Sequence, residues 1–147
     1  MNRQSKGISL KKINVTDRFL KREMELARTE VIPYQWEALN DNVEGAEPSF
    51  CMRNFKLAAK LGEKRRALGQ ESLPVWTTEE FNLVPEKGKP MEDRFYGFVF
   101  QDTDFSKWIE AVGYSLAAHP DPELEKLADH AIDIVCAAQY EDGYLDT

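Results

Sequence analysis

At 147 residues, with 42% apolar and 11% aromatic residues, the chain has one domain's length and the material for a core, which excludes a wholly disordered polypeptide. No run approaches the ~20 apolar residues of a membrane span, and the opening MNRQSKGISLKK lacks the apolar stretch of a secretory leader. The net charge of −7 is unevenly spread, with eight basic residues against three acids over 1–28, nine against twelve over 29–101 and two against eleven over 102–147, so the acidic final third argues against a nucleic-acid partner.

In chain order, Thr16-Asp17 can cap a helix carrying Phe19, Leu20, Met24 and Ala27. VIPYQWEALND (31–41) continues it as a second helical piece restarted at Pro33, and NDNVEGAEP reads as a loop. Ser49 can cap a third helix with Met52, Phe55, Ala58, Ala59 and Leu61 turned inward. Residues 62–97 hold four glycines and three prolines without sustained periodicity, and read as an irregular insertion at about 62–93, with short extended pieces at 75–78 and 81–84.

The strongest periodicity lies in the last third. Phe105, Trp108, Ile109, Val112 and Leu116 make one apolar stripe at i, i+3, i+4, i+7 and i+11. HPDP then breaks the helix, with Asp121 as the next N-cap and Pro122 at the first helical position. Leu124, Leu127, Ala128, Ala131, Ile134, Val135 and Ala138 form a second stripe, which Asp142-Gly143 closes. Two antiparallel helices, roughly 104–117 and 122–140, are predicted.

An antiparallel pair returns to the end at which it began. FQDTD (100–104) and YEDGYLDT (140–147) therefore meet on one edge, and the pairing gathers Gln101, Asp102, Asp104, Asp142, Tyr144 and Asp146 into a polar, aromatic rim. Asp102 and Asp104 also suit a helix start, where a carboxylate can accept from orphan amides beside the positive dipole end. Capping is the commoner use of such a pair. A rim of amides, acids and tyrosine also matches the chemistry that binds sugar hydroxyls and ring faces.

Other candidates are weaker. His119 falls in the turn and His130 outside the second stripe, without a set of neighbouring ligands, so this segment offers no metal site. Cys51 and Cys136 have no CxxC spacing and no basic neighbour, and read as buried fillers of a reduced, cytoplasmic protein. No catalytic residue is assigned.

The segments NVTDRFLKREMELARTEVIPYQWEALND, GAEPSF, NFKLAAKL and FYGFVFQDTDFSKWIEAVGYSLAAHPDPELEKLADHAIDIVCAAQYEDGYLDT, in this order, resemble the opening of glycoside hydrolase family 127, the bacterial β-L-arabinofuranosidases and their relatives. The resemblance leaves out about 62–93 and departs at Phe50, where relatives often carry histidine. It implies an all-α fold, a partial α/α toroid of helical hairpins, with residues 1–147 as the N-terminal part of the catalytic domain. It further implies a retaining exo-hydrolase acting on arabinose-containing carbohydrate, with zinc and a cysteine nucleophile in the full-length family enzyme. Those residues belong to a region that this chain does not match. The expectation is a fragment, truncated gene or split enzyme that supplies Gln101, Asp102, Asp104, Tyr144 and Asp146 to a substrate-binding rim and is inactive alone. Its unfilled apolar stripes would self-associate or take up the missing C-terminal part. The alternative is a non-catalytic helical interaction module.

Overall fold

The first helical rod runs from Arg18 to Leu39 in the computed structural model, which describes residues 6–69, 82–98 and 100–147. Asp17 opens it by accepting from Leu20 N at 2.8 Å, so the aspartate of the Thr16-Asp17 pair is the cap. Helix α1 (Arg18–Leu26) passes through a π-turn (Ala27–Val31) into α2 (Ile32–Leu39) without a break. The second piece starts at Ile32, one residue before the expected Pro33, which takes the first turn of α2. Pro33 has no N–H for a regular rung, and the wider turn just before it, in which Ile32 N reaches Ala27 O, carries the rod across that gap.

Helix α3 (Cys51–Leu68) is longer than its apolar pattern suggests and takes in residues 62–68, which correct the near boundary of the irregular insertion. GEKRRAL is rich in good helix formers, and Arg65 ties these turns to the segment after the last helix, 2.9 Å from Glu141 and 5.0 Å from the Tyr140 ring centre. Gly69, at φ +64, ends the helix with its N–H on Arg65 O and Arg66 O. At the other end the N-cap is Phe50, at φ +60, an uncommon conformation for a phenylalanine. Asp41 Oδ1 fixes it by accepting from Ser49 N at 2.7 Å and Phe50 N at 3.0 Å, which closes the 42–49 loop. The Ser49 hydroxyl only accepts a 3.4 Å bond from Cys51 N.

Two residues of β1 (Asn82–Leu83) pair antiparallel with two of β2 (Gly97–Phe98). The extended piece expected at 75–78 lies outside the described residues. Between the ladder and α3, Arg53 donates to Glu92 O and Arg94 O at 2.7 and 2.8 Å, and its guanidinium lies 4.8 Å from the Tyr96 ring centre. The fully enclosed Asn54 holds both backbone groups of Tyr96, donating to its oxygen at 2.8 Å and accepting from its nitrogen at 3.3 Å. These bonds pin the segment before the next helix across α3.

Helices α4 (Asp102–Ala118) and α5 (Pro122–Ala137) are the expected hairpin. Asp121 Oδ1 accepts from Glu123 N and Leu124 N, both at 3.1 Å, and Pro122 occupies the first turn. The second helix stops at Ala137, three residues short of the expected end, and Gly143 (φ +93) serves a later turn instead of the helix cap. Helix α5 packs against α3 and α4, and α2 against α4. Trp108, Met52, Val112 and Cys51 are the large side chains fully enclosed between them. The Trp108 ring lies 4.8 Å from Trp36, and its indole N–H donates to Ile32 O at 3.0 Å.

The fold is all-α, with the small ladder as its one extended feature among the described residues. None of the described helices is long and apolar enough to cross a membrane. The apolar residues that α1 carries are wet, with Phe19 66%, Leu20 53% and Met24 41% exposed. Cys136 is exposed on α5, against the expectation of a buried filler, because it faces away from the Ala131 and Val135 stripe.

Candidate functional site

The site is built on the first turn of α4. Phe105 and Trp108 face the core one turn on, which fixes the phase of the helix and leaves Asp102 half-buried and Asp104 exposed on different sides. Neither aspartate caps the helix, contrary to the capping expectation. The N-cap is Gln101, and the first amides are met by backbone, Thr103 N to Phe100 O at 3.1 Å and Asp104 N to Gln101 O at 3.0 Å.

Gln101 is spent on the main chain. Its Oε1 accepts from Phe98 N at 3.0 Å and its Nε2 donates to Tyr96 O at 2.8 Å. The fit requires Gly97, which sits at φ +91 and whose added Cβ would collide with Gln101 Oε1. Gln101 thus holds the entry to α4 through both ends of its amide.

Asp102 reaches 45 residues along the chain. Its Oδ2 accepts from Thr147 N and its Oδ1 from the Thr147 hydroxyl, both at 2.6 Å. Burial first, and then the neighbouring Asp146 carboxylate, push its carboxyl up to about 6, against the pull of the Thr147 bonds. Asp146 itself accepts from Thr147 N at 3.1 Å and from the Tyr144 hydroxyl at 3.4 Å. The Tyr144 ring lies 5.8 Å from Tyr140, more than half exposed. The structure therefore brings Asp102, Tyr144 and Asp146 together, with Gln101 on the adjoining turn. Asp142 serves the turn itself by accepting from Tyr144 N at 2.9 Å.

Asp104 stands apart from that group. It pairs with Lys107 at 3.1 Å, an exposed bond of small worth, beside a groove of about 420 Å³ lined by Gln35, Leu39, Ser49, Lys107 and Trp108. Ser49 comes to this edge through its bond to Asp41, and Gln35 through the α2–α4 contact, which has no local signature in the sequence. Thr147 was missed because its bonds to Asp102 likewise have none.

The residues described here do not fit the zinc and cysteine nucleophile that the resemblance implies. Cys51 is sealed in the core, its thiol pushed up to about 12 by burial and then by the Asp102 charge, so it is no thiolate ligand. Cys136 is exposed and unpaired, and no group of three or more His, Cys, Asp and Glu that could hold a metal occurs among the described residues. His119 and His130 are both exposed.

The family model described as the β-L-arabinofuranosidase GH127 catalytic domain matches residues 12–147. A non-reducing end β-L-arabinofuranosidase of Bifidobacterium longum subsp. longum is 38% identical over 135 residues, covering 92% of this chain and 18% of that protein. The crystal structure of a GH127 β-L-arabinofuranosidase from Geobacillus stearothermophilus T6 matches with 44% identity and a TM-score of 0.66, over 90% of this chain and 16% of that one. The chain spans less than a fifth of the length of these relatives.

Proposed function

As the chain belongs to glycoside hydrolase family 127, we propose that it forms one wall of the sugar pocket of a retaining exo-β-L-arabinofuranosidase, without the nucleophile. The observation that carries the reading is the closure of the 140–147 tail onto α4, with Thr147 on Asp102 at 2.6 Å, which sets Tyr144 and Asp146 beside Gln101 and Asp102. The Tyr144 ring offers a flat apolar face, and the Asp146 carboxylate keeps acceptor capacity towards solvent, the pairing that sugar hydroxyls and ring faces require. Gln101 contributes by holding that edge in place.

In this reading the wet face of α1 is covered by the remainder of a family 127 catalytic domain, arranged as an α/α toroid. The support is the contrast in length with the matched relatives, together with an apolar strip of Phe19, Leu20 and Met24 that none of the described helices covers. That strip also favours the second reading, a helical interaction module, whose partner would bind the same face without any sugar.

The purified chain is expected to show no hydrolysis of an aryl β-L-arabinofuranoside and, by light scattering, a mass above its own 16.9 kDa as copies cover each other's α1 face. Turnover by the chain alone would contradict the assignment of the nucleophile elsewhere. A monomer with a sharp unfolding transition would contradict the uncovered face.

A further inference from the structure

After α5 the chain folds into a short strap. Tyr140 N donates to Tyr144 O at 2.9 Å, Gly143 N to Tyr140 O at 3.0 Å, and Gln139 Nε2 to Gly143 O at 3.0 Å. The strap ends over the first turn of α4, where one N–H serves two acids: Thr147 N lies 2.6 Å from Asp102 Oδ2 and 3.1 Å from Asp146 Oδ1. The Thr147 hydroxyl takes Asp102 Oδ1, and the Tyr144 hydroxyl takes Asp146 Oδ2. Four carboxylate oxygens thus share three protein donors. Among the described residues no cation stands within ion-pair distance of either acid.

Two negative charges gathered on one N–H, with one of them half-buried, repel each other. A single proton between them would remove that repulsion and supply the fourth donor. We propose that Asp102 and Asp146 are a proton-sharing pair that latches the 140–147 strap onto the start of α4. The inference does not rest on the sugar reading, since it needs only the strap and the helix start.

The groups facing Asp102 offer no competing positive charge. They are Asp146 and Tyr144 from the strap and the Cys51 thiol from α3, while Asp104 lies on the other side of the helix. With burial and Asp146 raising it to about 6, Asp102 binds a proton more tightly in the latched state than as a free aspartate near ~3.9. The stabilisation linked to that proton is complete below the free value and is lost as pH rises through about 6. The strap that carries Tyr144 is therefore seated more firmly at mildly acidic pH than at alkaline pH.

The test follows the Thr147 backbone amide of the ¹⁵N-labelled chain by NMR between pH 4 and 8. Its shift is expected to titrate with a midpoint near 6. Asp102→Asn keeps a side-chain acceptor for Thr147 and should abolish the step. Asp146→Asn should lower the midpoint towards that of an ordinary aspartate. Two residues appended after Thr147 should leave the midpoint unchanged, which separates the step from any α-carboxylate. A Thr147 midpoint below about 4.5, or a step near 6 that persists in Asp102→Asn, would overturn the proposal.

Discussion

Trp108→Ala is expected to cost ~3–5 kcal/mol of folding stability, the range for an enclosed tryptophan, and to unfold much of the chain at room temperature. Three losses fall on one position. The indole is 1% exposed, so its whole surface leaves water on folding. Its ring sits against Trp36 at 4.8 Å and Phe105 at 6.2 Å, so its removal opens a void between α2 and α4. Its N–H also bonds Ile32 O, the point where the π-turn becomes α2. Trp108→Phe keeps a ring and drops only part of the volume and the bond, so its loss should be about half as large or less. Urea unfolding followed by far-ultraviolet dichroism checks both variants. Equal midpoints for Trp108→Ala and the parent chain would remove Trp108 from the centre of the fold.

Asn54→Leu is expected to cost ~2–3 kcal/mol although the substitution makes the site more apolar. Asn54 is 2% exposed and is the one polar residue among the enclosed core residues described here. Leucine would leave Tyr96 N–H without a partner, while Tyr96 O would keep only Gln101 Nε2. The penalty is that of a buried, unmade hydrogen bond, not of a cavity. Arg53 would still clamp the 92–94 carbonyls, so the segment should loosen locally at Tyr96 and Gly97 before the helices melt. Hydrogen exchange should show faster exchange of the Tyr96 and Phe98 amides, together with a lower urea midpoint. A neutral or stabilising effect would mean that Tyr96 finds its bonds elsewhere.

The hairpin was legible because its information is local. Asp121 and Pro122 punctuate the turn, and two stripes at helical spacing leave no choice of face. The edge shared by Gln101 and Tyr144 followed from that geometry alone. Residues 62–68 were not legible by stripe, since GEKRRAL carries charge on every side, although Gly69 marks a C-cap that could have flagged the helix. Pro33 reads as a boundary in any local scheme, and α2 does begin beside it, but the π-turn before it keeps the rod unbroken.

The roles within the site were harder. Asp102 looks like a cap because the sequence near it offers amides, but Thr147, 45 residues on, competes for the same oxygens and wins with two bonds. Gln101 had no evident local duty, and its partners turn out to be backbone groups three and five residues upstream. Asn54 interrupts an apolar face and carries no sign in sequence that its amide will find Tyr96. Cys136 was placed inside on residue type alone, while the phase of α5 puts it outside.

The claim that this chain is a pocket wall of a family 127 domain is tested most directly by reconstitution. The matching 135-residue part of the Bifidobacterium longum enzyme would be deleted, the remainder purified, and this chain added in trans. The account predicts no hydrolysis of an aryl β-L-arabinofuranoside by either piece alone and hydrolysis by the mixture. A mixture that co-elutes as one species yet stays inactive would contradict it.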